Sequence, residues 1–203
     1  MKKQPLINGS AIFTNSVNTE HRCVTDYKLV AEFADHCRGL GLKIVLTQGT
    51  FDLIHIGHAR YMEEAKKHGD VLIVGVDSDA KVRARKGPDR PVVPQTERIE
   101  MLTHLRSVDL VVLKEMNAAK WALIKAVKPD VLIATKETYD QAEIKALEKI
   151  CGEVVVLNPM ATTSTSAKIR LLQINTAKKL EKALTPRLIQ AIEETLRGVK
   201  GDK

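Results

Sequence analysis

Five short aliphatic runs, none alternating with polar residues, constrain this chain most. They are Ile44-Val45-Leu46, VLIVGV (71–76), DLVVL (109–113), VLIA (131–134) and EVVVL (153–157). A strand that is apolar on both sides has to be covered on both sides, which is the environment of a parallel sheet between two layers of helices. Helical spacing fills the gaps between the runs. Residues 27–40 place Leu29, Val30, Phe33, Cys37 and Leu40 along one face, with Gly39 and Gly41 at the end. Further helices are predicted over 58–69, near 78–84, over 96–105 behind Pro94 and Thr96, over 118–127 and over 141–150. The alternation predicts an α/β fold, a Rossmann-like doubly wound parallel sheet of five strands with helices on both faces, over about residues 40–175. C-terminal helices follow. The polar run ATTSTSAKIR opens one, and Thr185-Pro186 marks a fresh start with Leu188, Ile189, Ile192 and Leu196 on one face. The resulting division is an arm (1–26), the main domain (27–175) and a helical extension (176–203).

Composition narrows the function. Aromatic residues are 3 % of the 203, so the core is aliphatic and the chain is a poor base-stacking partner for nucleic acid. The formal charge of +7 suits either a solvated surface or attraction of an anionic ligand such as a polyphosphate. Three cysteines at wide spacing, with no CxxC pair, read as free thiols in a reducing compartment. The basic N-terminus continues into Pro, Asn and Gly rather than an apolar stretch, and no run is long enough to span a membrane. A soluble cytoplasmic protein with no membrane partner is expected.

Ligands of doubly wound sheets bind beyond the carboxyl ends of the strands. There the first run continues into Gly49-Thr50-Phe51-Asp52-Leu53-Ile54-His55-Ile56-Gly57-His58. Two histidines three apart on a first helical turn project to one side. The helix N-terminus adds unsatisfied N–H groups and a positive dipole. Gly57 between them lets a flat ligand lie against bare backbone, and Thr50 offers a hydroxyl and an amide. The set fits a polyphosphate. It does not fit a metal: zinc-protease helices place histidines four apart around a glutamate, and no third ligand stands nearby.

GTFDLIHIGH resembles the signature of the nucleotidylyltransferase superfamily, whose members carry an HxGH element. The continuation GHARYMEEAKKHGDVLIVGVDSD is similar to the cytidylyltransferase-like branch. KGPDRPVVPQTERIEMLTHLRSVDLVV resembles the adenylyltransferase domain that activates heptose 1-phosphate for lipopolysaccharide, and TTSTSAKIR resembles the family's second motif. The likeness covers about residues 40–172. Class I aminoacyl-tRNA synthetases also contain His-Ile-Gly-His, but this chain lacks their Lys-Met-Ser-Lys-Ser loop.

The resemblance implies an enzyme that transfers a nucleoside monophosphate from a nucleoside triphosphate, with Mg²⁺, to a small phosphorylated sugar or polyol. Pyrophosphate leaves, and AMP is the favoured group. It implies that His55 and His58 stabilise charge at the α-phosphate and that Lys86 closes over the phosphates. Gly49, Thr50, Phe51 and Gly57 would line the nucleotide, with Asp52 ordering the turn. Arg106, Asp109 and Thr138 would contact nucleotide or acceptor. Ser164, Thr165 and Ser166 would meet the β- and γ-phosphates, and Asp77 and Arg98 the acceptor. Arg98 also has a plainer reading as an exposed partner of Glu97 or Glu100, and the Ser/Thr run as a helix cap. One stretch departs from the pattern: heptose adenylyltransferases carry Lys-Gly-Gly-Asp-Tyr where this chain has Thr135-Lys136-Glu137-Thr138-Tyr139. Alternatives are a cytidylyltransferase acting on glycerol 3-phosphate or a phospho-amino-alcohol, and a nucleotide-binding regulator without turnover. The amphipathic C-terminal helix is expected to pack internally or form a homodimer.

Overall fold

The protein is described by a computed structural model over residues 19–135, 138–158, 160 and 165–200. Its described residues form two compact units, one up to residue 162 and one from 163 onward.

In the first unit, α1 (Thr19–Arg22) and β1 (Cys23–Val24) precede α2 (Tyr27–Gly39). Then come β2 (Ile44–Gly49), α3 (Ile56–Lys66), β3 (Val71–Asp77), α4 (Asp79–Lys86) and α5 (Gln95–Thr103). They are followed by β4 (Leu110–Lys114), α6 (Ala122–Val127), β5 (Val131–Thr135), α7 (Gln141–Leu147) and β6 (Glu153–Leu157). The strands form one sheet in the order β1-β4-β3-β2-β5-β6, and every pairing is parallel. All five aliphatic runs are strands. The sheet nevertheless has six strands rather than five, because Cys23 and Val24 in the expected arm pair with Val111 and Val112 at the edge.

Successive strand residues go to opposite faces. Ile44, Leu46, Val71, Ile73, Leu110, Val112 and Leu132 join Val30, Ala34 and Cys37 of α2 and Leu123, Ile124 and Val127 of α6. Val45, Leu72, Val74, Val76, Val111, Leu113 and Ile133 join Met62 and Ala65 of α3 and Ile99 and Leu102 of α5. Two-sided burial of this kind is why none of these strands alternates with polar residues. From β2 the chain winds to β3 and β4 on one side, then crosses back to β5 on the other. The strand order reverses at β2, so its carboxyl end is where a ligand crevice opens.

Two helices differ most from expectation. The helix expected from 118 begins at Ala122, because Trp121 takes a left-handed conformation (φ 61°) ahead of it. The second unit is a single helix, α8 (Thr165–Lys200), which runs through Pro186 rather than restarting there. A proline removes one intrahelical hydrogen bond without having to end a long helix. Leu188 and Ile192 on α8 are exposed. No helix among the described residues is long and apolar enough to cross a membrane.

Close packing at the amino edge gives a paired test. A Cβ on Gly69 would lie 2.7 Å from both the Lys43 carbonyl and the Val45 side chain, whereas one on Gly39 would meet nothing within 4 Å. Gly69→Ala is expected to lower unfolding free energy by about 1–3 kcal/mol in urea denaturation. Gly39→Ala should leave it unchanged or raise it by up to about 1 kcal/mol.

Candidate active site

The turn leaving β2 is tightly folded. Phe51 (φ 52°) and Leu53 (φ 50°) both occupy the left-handed region, which ordinary side chains rarely adopt. Neighbouring groups hold it there. A Cβ on Gly49 would sit 2.9 Å from the Phe51 ring, so glycine is needed for the ring to fold back. Asp52 is buried and accepts hydrogen bonds from Arg90 Nε (2.9 Å) and from the backbone N–H groups of Val92 and Val93 (3.0 Å each). The aspartate therefore ties the turn to the loop after α4, far beyond a local turn bond. Burial alone would raise its carboxyl, but those amides and Arg90 outweigh it and hold the group below its usual range.

The histidines explain their own spacing. His55 is the N-cap of α3 and its Nδ1 accepts the Gly57 N–H at 3.1 Å. Its own backbone N–H donates to His58 Nδ1 at 3.3 Å. This is a reciprocal capping box with imidazoles in place of the usual hydroxyl and carboxylate. Because each Nδ1 accepts, each neutral ring carries its proton on Nε2 and is a hydrogen-bond donor there. The rings lie 4.2 Å apart, and Phe51 meets His58 edge-on at 5.9 Å. Two imidazoles stand together at a helix N-terminus, a setting that suits phosphate oxygens.

A cavity of about 240 Å³ opens at the same edge of the sheet. Asp77 ends β3 inside it, 1 % exposed, with Arg85 Nη2 at 2.9 Å, Lys114 Nζ at 3.1 Å and Lys81 Nζ at 3.9 Å. Its Oδ1 has no well-aligned hydrogen bond despite these cations. Lys81 and Arg85 are one turn apart on α4, and Lys114 is the residue on which β4 ends. Burial holds Lys114 below the usual lysine range, with Asp77 opposing that shift and Lys81 and Arg85 adding to it. Three cations around one carboxylate leave the cavity positive. Its wall includes Trp121 and Tyr139, whose phenol is pushed up to about 12, chiefly by burial, and accepts from Gln48 Nε2 at 3.2 Å. Gly75 makes room here, since a Cβ on it would lie 2.9 Å from the Lys114 stem.

The other expected site residues fall into four groups. Thr50 is buried, and its hydroxyl accepts from Arg85 Nη2 at 2.7 Å. Gly57 is buried in the first turn of α3, and Lys86 is the exposed last residue of α4, its ammonium lowered by partial burial and then by Arg85 and Arg90. Thr138 lines the cavity and bonds the Thr135 hydroxyl at 2.7 Å. Ser164 lies outside the described residues, as do the side chains of Thr165 and Ser166.

Three expectations need correcting. Arg98 is neither an acceptor ligand nor an exposed partner of Glu97 or Glu100. It is 1 % exposed and donates to the carbonyls of Val93 (3.0 Å), Thr50 and Asp77 (2.9 Å) and to Asp79 Oδ1 (2.7 Å). Asp109 stands at the opposite, amino edge of the sheet, where it accepts from the Leu72 N–H and pairs with Lys66. Arg106 lies in the turn leading to that same edge. Arg85, Lys81 and Lys114 were not singled out in the sequence. The position of Lys114 directly after an aliphatic strand was the available signal.

A family model described as cytidylyltransferase-like matches residues 46–190. The bifunctional protein HldE of a Nitratiruptor species is 38 % identical over 150 residues, 74 % of this chain and 32 % of that protein. The bifunctional protein HldE of Pectobacterium carotovorum subsp. carotovorum is 41 % identical over 144 residues, 70 % of this chain and 30 % of its own length. The match therefore spans about a third of these curated relatives. Among solved structures, the lipopolysaccharide core biosynthesis protein from Thermoplasma volcanium GSS1 superposes with a TM-score of 0.51 at 29 % identity, over 59 % of this chain and 98 % of its own.

Two substitutions check the geometry. Arg98→Ala removes a buried guanidinium from one half-buried carboxylate and three carbonyls, so unfolding free energy should fall by about 3–5 kcal/mol in urea denaturation, against about 0.5 kcal/mol or less for Glu97→Ala or Glu100→Ala. Asp52 contributes stability above its unfolded pKa of about 3.9 that disappears as pH falls through its lower folded value. Asp52→Asn should accordingly show a shallower loss of stability below about pH 4 than the wild type when melting is followed against pH.

Proposed function

Because the chain belongs to the cytidylyltransferase-like family, we propose that it is a nucleotidylyltransferase acting on a phosphorylated sugar. Heptose 1-phosphate is the favoured acceptor and ATP the favoured donor. The observation that carries this reading is the cation-lined cavity around Asp77, joined through Arg85 to the same turn that leads into the histidine pair. A triphosphate lies on the α3 N-terminus, and a phosphate dianion occupies the cavity beside it.

An acceptor phosphate oxygen attacks the α-phosphorus. That P–O bond forms as the bond from the α-phosphorus to the bridging oxygen breaks, and pyrophosphate leaves. The attacking oxygen carries no proton at neutral pH, so no general base is required. His55 and His58 donate from Nε2 to the α-phosphate as its charge redistributes. Lys86 faces the leaving phosphates. The cavity cations hold the acceptor in line, where positioning supplies most of the acceleration.

Magnesium bound with the triphosphate would neutralise charge on its oxygens. The described side chains here are mostly donors and cations, and no group of metal-ligating residues is found among the described residues.

We assign residues up to 162 to the transferase domain and α8 to an extension. Leu180, Leu184 and Leu188 recur every fourth residue on α8 and are exposed, which favours a homodimer through this helix. A cytoplasmic location follows from the substrates.

The test is acceptor-dependent pyrophosphate release with Mg²⁺, comparing the four nucleoside triphosphates against phosphorylated sugars and polyols. Release is expected with ATP and heptose 1-phosphate, reduced about 100-fold or more in His58→Ala. Triphosphate binding without release from any pair would mark a regulator instead.

A further inference from the structure

Arg85 bridges the two halves of the site. Its Nη2 donates to the Thr50 hydroxyl at 2.7 Å and to Asp77 Oδ2 at 2.9 Å. The buried Arg98 also joins these two segments, but through their carbonyls and with no exposure to solvent. Arg85 is different: its side chain is 55 % exposed and sits on the last turn of α4 at the mouth of the cavity. Drawing it away gives up the hydrogen bond on Asp77 Oδ2, which a bound phosphate has to offset. Asp77 would keep Lys114 at 3.1 Å and Lys81 at 3.9 Å, so its buried charge stays compensated. A phosphate dianion in the cavity offers a guanidinium two oxygens at once, against the single carboxylate oxygen it now contacts.

We propose that Arg85 is an exchanged, specificity-determining residue. In the free protein it occupies Asp77 and the Thr50 hydroxyl; with both substrates bound it grips the acceptor phosphate and leaves Thr50 to the triphosphate. Removing it therefore weakens acceptor phosphate binding but does not weaken nucleotide binding. The inference rests on the nucleotidylyl transfer proposed above and names the group that selects an acceptor carrying a dianionic phosphate. By linkage, whatever gain freeing Thr50 gives one ligand is conferred equally on the other.

The experiment is calorimetric titration of wild type, Arg85→Leu and Arg85→Lys. The nucleotide probe is Mg²⁺ with α,β-methylene-ATP, which cannot transfer its nucleotidyl group by losing pyrophosphate. The acceptor probe is inorganic phosphate, added after the nucleotide is saturating so that the triphosphate subsite is filled. Phosphate affinity is expected to fall about tenfold or more in Arg85→Leu and to recover in part in Arg85→Lys. Affinity for α,β-methylene-ATP alone should be unchanged or slightly tighter in Arg85→Leu. The inference is overturned if phosphate affinity is the same in both proteins, if wild type takes no phosphate, or if nucleotide and phosphate affinities fall together as a structural defect would make them. Absence of nucleotide binding in the wild type is a separate result, and it would remove the transferase reading itself.

Discussion

A guanidinium buried at the carboxyl edge of the sheet organises everything around it. Arg98 reaches out of α5 and donates to the turn after β2, the end of β3, the start of α4 and the loop before α5. Three stretches of chain, at Thr50, at Asp77–Asp79 and at Val93, meet on one planar group. An arginine is suited to this because its donors are fixed in a plane and it stays charged when buried. Its charge is balanced by Asp79, 2.7 Å away, and by carbonyl dipoles, so the desolvation cost is offset where it arises. The left-handed backbone at Phe51 and Leu53 persists for the same reason: carbonyl, carboxylate and ring contacts leave the turn no relaxed alternative.

Two different electrostatic devices are built on that brace. At the start of α3, backbone amides and imidazoles cap each other, which fixes both rings and leaves the proton of each neutral ring on Nε2. In the cavity, excess cations gather around Asp77, and burial of Lys114 makes added negative charge favourable. The first device orients; the second attracts. Between them they supply charge stabilisation and alignment, the contributions that dominate transfer of a phosphorus group.

Much of this was legible in the sequence, and particular residues show why the rest was not. The strands were readable because burial on two faces leaves an unbroken aliphatic signature, as in VLIVGVD. Cys23-Val24 is too short to carry any period, and only pairing with Val111 and Val112 makes it a strand. The histidine pair was found from spacing and resemblance, but its reciprocal capping depends on ring orientation. Arg98 has no local mark distinguishing a buried brace from a surface ion pair, since its partners lie 5 to 48 positions away. Asp109 teaches the opposite lesson. It precedes an aliphatic run and so belongs to the amino edge, whereas Lys114 follows that run and belongs to the ligand edge. The order of residues around a strand tells which end of the sheet each one serves, and that signal was present.

The central claim is that the turn after β2 and the cavity around Asp77 form one site, in which an acceptor phosphate attacks the α-phosphorus of a nucleotide directly. Phosphorus NMR of the protein with Mg²⁺-ATP and heptose 1-phosphate tests it most directly. The account predicts that the sugar phosphate resonance disappears while a pair of mutually coupled diphosphodiester resonances and a pyrophosphate resonance appear in equal amounts. Formation of ADP or orthophosphate instead, or a bound ATP spectrum that the sugar phosphate leaves unaltered, would contradict it.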